Sequence, residues 1–131
     1  MAYVGSVRRW DIFWADLDPG VGSEQRGASR PVVVVSNDGV NASLDVVTVL
    51  SATKLENKQR RVYPFEVLLP RGTITPEHAS IVMPQQIRSI SKRRLLEKIS
   101  VLTDPSRRTE IENRLLEHLG IEFEAEDLDA P

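Results

Sequence analysis

Arg30 is the residue whose surroundings most clearly prepare it for chemistry. It ends the run Gly22-Ser-Glu-Gln-Arg-Gly-Ala-Ser-Arg30-Pro31, and four valines, Val32 to Val35, follow at once. A guanidinium stays charged and donates two parallel hydrogen bonds, a geometry matched to phosphate oxygens. Pro31 biases Arg30 toward extended backbone, and Gly22 and Gly27 let the preceding chain turn tightly, so the cation has a restricted direction. Glu24 adds a carboxylate to the same loop, with three roles open to it: proton acceptor, orienting partner of Arg30, or closure of the loop onto backbone N–H groups or Arg26.

The elements that must hold this loop are mostly strands. The valine run, bounded by turn residues on both sides, reads as a strand covered on both faces. Trp10 to Leu17 is rich in strand formers and is closed by Asp18-Pro19-Gly20. Asn37 to Ser43 reads as a turn, making Leu44 to Leu50 a hairpin partner of the valine strand. A basic stretch with Lys54, Lys58, Arg60 and Arg61 precedes a fourth strand over Val62 to Leu69. Ser80–Met83 and Gln86–Ile90 are short strands separated by Pro84. Five or six short strands with turn signals between them suggest a small barrel. Two helices close the chain. Ser91 caps the first, whose apolar stripe is Leu95, Leu96 and Ile99, although Lys92, Arg93 and Arg94 oppose the dipole at its start. Asp104-Pro105 opens the second, with Ile111, Leu115, Leu116 and Leu119 at helical spacing and Gly120 as its stop.

The 131 residues fit one domain, long enough to bury a core without disulfides or a structural metal, and the absence of cysteine excludes thiolate chemistry. No run approaches the roughly 18 apolar residues of a spanning helix, and Met1 to Arg9 lacks an apolar signal core, so a soluble cytoplasmic protein is expected. The formal charge of −2 at first argues against a nucleic-acid partner. Residues 120–131, however, carry Glu122, Glu124, Glu126, Asp127 and Asp129 and no Lys or Arg. Setting those five charges aside leaves residues 1–119 at +3, a mildly basic body followed by a solvated acidic tail.

With Trp10-Asp-Ile-Phe-Trp14 upstream of the loop, Tyr63-Pro-Phe-Glu-Val67 downstream and Gln86-Ile-Arg-Ser-Ile90 later, the chain from about Arg9 to Leu102 resembles the MazF/PemK family of toxin endoribonucleases. The resemblance implies a mainly β fold with α, an SH3-like small barrel carrying one or two C-terminal helices, in a single toxin domain over 1–119. It further implies a homodimer, no cofactor or metal, and the toxin half of a type II toxin–antitoxin pair. The implied activity is metal-independent, sequence-preferring cleavage of single-stranded mRNA, leaving 2′,3′-cyclic phosphate and 5′-hydroxyl ends, with a MazE-like antitoxin as the partner that occludes the groove. CcdB-like gyrase inhibitors are similar in fold, which leaves a noncatalytic protein-gripping toxin as the alternative.

The family's catalytic pair, carried onto this sequence, is Arg30 and a hydroxyl at the end of the third strand. Ser51 matches by alignment of Leu50-Ser51-Ala52, and Thr53 competes for the role. Glu24 is the third catalytic candidate. RNA contacts are expected from Gln25, Arg26, Thr53, Lys54, Lys58, Arg60, Arg61, Gln86 and Arg88. Gln86 is open to two readings, a contact to bases or phosphate or a cap on strand backbone. Trp10, Phe13, Trp14 and Phe65 are expected in the core rather than against bases. His78 and His118 are expected at the surface, without metal-ligand spacing.

Overall fold

The computed structural model describes residues 2–55 and 61–122. Six strands form one antiparallel sheet: β1 (Asp11–Ala15), β2 (Arg30–Val34), β3 (Val46–Lys54), β4 (Val67–Leu69), β5 (Ser80–Ser91) and β6 (Leu95–Val101), in the order β4-β5-β3-β2-β1-β6. A short helix α1 (Asp38–Ser43) joins β2 to β3, and α2 (Pro105–His118) follows β6.

The valine run explains how the sheet is buried. Val33 and Val35 belong to one core with Trp10, Ile12, Leu50, Val67, Val82 and Ile111, against which Leu115 packs. Val32 and Val34 face the other way, into a second core with Phe13, Leu17, Val47, Val49 and Leu95. Successive strand residues point to opposite faces, so an unbroken apolar run requires two cores. Ile111 of α2 is fully buried in the first of them. Here the helix signals read from sequence hold. Asp104 accepts from Ser106 N–H as N-cap, Pro105 opens the helix, and Gly120 (φ +69°) closes it, with Ile121 N–H donating to Leu116 O and Gly120 N–H to Glu117 O.

Four expectations change. The segment Leu95–Val101, expected to be helical, is edge strand β6, paired with β1 from Asp11↔Val101 to Ala15↔Leu95. Only the single turn Lys92–Arg94 stays helical, capped by Ser91, and it stops where Leu95 pairs with Ala15. Two register shifts in the β1–β6 ladder break the in-out alternation that would have marked a strand. Asn37 to Ser43 is not a simple turn: Asn37 caps α1, and β2 and β3 pair across it with Val32 opposite Ser51. The fourth strand shrinks to Val67–Leu69, and the residues before it form a turn closed by Tyr63 and Glu66.

The fourth change concerns Ser80–Met83 and Gln86–Ile90, which are two halves of one strand. Ser80 to Met83 pair with Lys54 to Ser51, and Arg88 to Ser91 with Val49 to Val46. Pro84 to Ile87 stand between these ladders without a strand partner among the described residues, which is where a proline is tolerated. The sheet is not closed by a ladder among the described residues, so β4 and β6 are its edges. Ser100 of β6 donates to the carbonyl of Thr73, just beyond β4, at 2.9 Å. No helix among the described residues is long and apolar enough to cross a membrane.

Candidate active site

The connection from β1 to β2 is tied down along its length. Arg94 reaches over from the turn before β6 and donates to the carbonyls of Asp16 (3.0 Å) and Asp18 (2.6 Å). Asp18 in turn accepts from Gly27 N–H at 2.9 Å, and Leu17 N–H donates to Gly27 O at 2.8 Å. Glu24 closes the tip, its carboxylate accepting from Val21 N–H at 3.1 Å. Of the roles open to Glu24, this is the loop-closing one.

Arg30 is the first residue of β2 and half-buried. Its Nη2 donates to Gln25 Oε1 at 3.0 Å and to Thr53 Oγ1 at 3.3 Å. Register supplies the second contact. With Val32 opposite Ser51, continuing the antiparallel pairing by two residues brings Arg30 opposite Thr53 on the same face. Gly27 supplies the space: its φ of +138° suits glycine, and a Cβ there would lie 2.8 Å from Arg30 Cδ. The guanidinium stem therefore passes over bare backbone. Among the described residues, Arg30 Nη1 makes no hydrogen bond and Nε is buried without one. The cation is aimed but not saturated.

Ser51 and Thr53 are separated by depth. Ser51 is fully buried opposite Val32 in the β2–β3 ladder, its Oγ without a hydrogen-bond partner among the described residues, whereas Thr53 is half-buried and touches Arg30. A cavity of about 420 Å³ opens beside this pair, lined by Trp14, Arg30, Thr53, Lys54, Thr75 and Ser80 among others. Trp14, expected in the core, is half-buried and forms a wall of this cavity. Trp10 and Phe13 are core residues as expected.

The remaining candidates distribute unevenly. Gln25 orients Arg30, and Arg26 is exposed on the loop. Gln86 Oε1 accepts from Gln25 N–H at 3.2 Å while its Nε2 donates to Ser23 O at 3.1 Å, so both ends of the amide are spent on loop backbone. Of the two readings open to Gln86, these bonds are of the backbone-capping kind, but on the loop at Ser23 and Gln25 rather than on a strand, a distant partner that no pattern near Gln86 announces. Arg88 is half-buried, with Nη1 buried and unpartnered among the described residues. Lys54 is exposed at the cavity, Lys58 and Arg60 lie outside the described residues, and Arg61 sits over the Tyr63 ring at 5.1 Å. Tyr63 stacks on Phe65 with centroids 5.3 Å apart and planes 3° from parallel. Phe65 is 46% exposed, against the expectation that it was core, because the turn that carries it leaves the sheet before β4 begins. His78 is half-buried and His118 exposed.

Comparison with known proteins gives this arrangement a context. A family model described as "PemK-like, MazF-like toxin of type II toxin-antitoxin system" matches residues 8–119. An endoribonuclease MazF of Staphylococcus epidermidis is 36% identical over 115 residues, spanning 88% of this chain and 92% of that protein. Among solved structures, MazF from Deinococcus radiodurans is similar with a TM-score of 0.72 at 24% identity, over 89% of this chain and 99% of that one. A mycobacterial endoribonuclease solved with its cognate antitoxin is similar with a TM-score of 0.70 at 21% identity, over 90% of this chain and 99% of that one. The solved structures share the fold, and the family model and the Staphylococcus sequence carry the relationship further. The chain belongs to the PemK-like, MazF-like toxin family of type II toxin–antitoxin systems.

Proposed function

We propose that this chain is an endoribonuclease toxin that cleaves single-stranded mRNA in the cytoplasm at the Arg30–Thr53 pair. The observation that carries the reading is the guanidinium held by Gln25 and Thr53 at the mouth of the cavity, with Nη1 uncommitted among the described residues. RNA supplies its own nucleophile. The 2′-oxygen bonds to phosphorus, the P–O5′ bond breaks, the 2′-hydroxyl proton is lost, and the 5′-oxygen leaves protonated. The protein's main task is then to stabilise the charge that gathers on the phosphorane. Arg30 suits that task, with Thr53 as second donor, and the reaction needs no metal as nucleophile generator.

Depth supports Thr53 over Ser51, and the engagement of Glu24 with Val21 N–H supports a framing role for that carboxylate. Lys54 and Arg61 suit phosphates along the strand, and the stacked Tyr63–Phe65 pair suits its bases. The rolled sheet is read as the family's small SH3-like barrel, held at its seam by the Ser100–Thr73 bond rather than by a ladder. A homodimer would cover exposed Leu44, Val46 and Val101. An antitoxin segment of MazE type would inhibit by occupying the groove at Arg30. The gyrase-gripping alternative is not favoured, since the relative at 36% identity is named an endoribonuclease.

The test is cleavage of long single-stranded RNA by purified protein in EDTA, with product ends mapped, beside Arg30→Ala and Thr53→Ala. Recurrent cuts with cyclic-phosphate ends, lost in both variants, are expected. Absence of cutting on several diverse RNAs by the unmodified protein would overturn the reading.

A further inference from the structure

We infer that Gln86 is a positioning residue for Arg30 rather than a reader of RNA bases. It holds the 23–25 backbone so that Gln25 can orient the guanidinium. This inference rests on the reading of Arg30 as the phosphate-binding cation.

Gln86 lies 61 positions from Gln25 in sequence, in the stretch of β5 that has no strand partner among the described residues. Its side-chain amide takes the place of that partner. Oε1 accepts from Gln25 N–H and Nε2 donates to Ser23 O, so one planar amide satisfies a backbone donor and a backbone acceptor two residues apart. A residue in a parallel ladder bonds its neighbouring strand with the same two-residue spacing, so the amide imitates a strand edge although the sheet itself is antiparallel. The loop is thereby docked on the sheet at the residue whose own side chain accepts from Arg30.

The preceding residue engages the other side. Gln85 Nε2 donates to Glu66 Oε2 at 2.7 Å, and Glu66 Oε1 accepts from Tyr63 N–H at 3.1 Å. In the stretch of β5 with no strand partner among the described residues, Gln86 thus holds the arginine loop and Gln85 the aromatic turn. Each end of the Gln86 amide holds a backbone partner, so any contact to a base edge would have to use the remaining donor and lone pair without releasing the loop. A guanidinium misplaced by about 1 Å can lower a rate by about 100-fold, so loss of this pin acts on the chemical step.

The experiment compares Gln86→Ala, Gln86→Glu and Arg30→Ala with the unmodified protein. It measures single-turnover cleavage against pH, and affinity for the same RNA carrying a 2′-deoxy sugar at the cut site. Gln86→Ala is expected to slow cleavage by about 10- to 100-fold at all pH values while affinity changes less than about threefold. Gln86→Glu sharpens the result. Its ionised carboxylate would face the Ser23 carbonyl, whereas its protonated form can donate to that oxygen. Its rate relative to the unmodified protein should therefore recover as pH falls through about 5.

Such recovery needs a folded loop that redocks, so general misfolding would not produce it. Unchanged cleavage in both Gln86 variants, with Arg30→Ala inactive, would overturn the inference alone. So would a weakened affinity with an unchanged single-turnover rate, which is the behaviour of a base reader. If Arg30→Ala cleaves as well as the unmodified protein, the reading of Arg30 itself fails.

Discussion

The loop that carries Arg30 and the turn that carries Phe65 meet at two consecutive residues of β5, yet they are built on opposite plans. The arginine loop is tied by Arg94, Asp18, Glu24 and Gln86, and most of these bonds reach backbone atoms. Its polar groups are spent on holding one conformation, and the guanidinium is the group left with donors to offer. The aromatic turn is anchored through buried Glu66 and displays flat rings, Tyr63 at 38% and Phe65 at 46% exposure. One region sets a direction and the other presents area. Transition-state stabilisation depends on direction, whereas ground-state affinity for a flexible strand depends on area.

Mutations that separate rate from affinity would break or sharpen that contrast. Arg30→Ala should give the largest effect, a loss of about 100- to 1,000-fold in kcat, as for removal of one transition-state donor elsewhere. Arg30→Lys should not restore it, because an ammonium lacks the planar fork. Single-turnover cleavage of one mapped site checks both. Next comes Gly27→Ala, whose Cβ would meet Arg30 Cδ at 2.8 Å on backbone with φ +138°. We expect a fall in kcat of about 10-fold or more with RNA affinity nearly kept, and equal loss of both parameters would argue against a purely directional loop.

Phe65→Ala should do the reverse, weakening binding of an uncleavable RNA by about 10-fold while the single-turnover rate at saturating protein stays the same. A rate defect at saturation would join the two regions into one catalytic unit. Ser51→Ala should leave cleavage unchanged, and removing its buried hydroxyl, which has no partner among the described residues, should alter stability by no more than about 1 kcal/mol, readable by urea denaturation. The smallest effect belongs to a remote control. Hydrogen bonds from the side chain and backbone of Ser106 hold the Asp104 carboxyl below its ordinary value of 3.8. A depressed folded-state value means that this cap contributes fully above about pH 4 and is lost as pH falls below it. Circular dichroism should show slight fraying of α2 in that acid range, absent in Asp104→Ala, with no counterpart in cleavage at neutral pH.

The valine strand and α2 were legible in sequence because their signals are local and agree with their tertiary setting. Four β-branched residues in a row fit a two-faced strand, and Asp104, Pro105 and Gly120 are helix punctuation that needs no distant partner. The segment Leu95–Val101 was misread because pairing with β1, interrupted by two register shifts, outweighed its weak helical stripe. Phe65 was misread because its exposure depends on where β4 begins, which only the pairing with β5 fixes.

The identity of the central cation, its glycine-bearing loop and the proline that follows were determined by the sequence itself, since φ preferences and permanent charge are properties of single residues. Which hydroxyl stands beside Arg30 was decided by the tertiary structure. Ser51 and Thr53 share a strand face, and only the β2–β3 register puts one opposite Val32 and the other against the guanidinium. The same holds for Gln86, whose amide reaches the loop across 61 positions of chain. Contacts of that span depend on how the sheet is assembled, and no pattern within one segment carries that information.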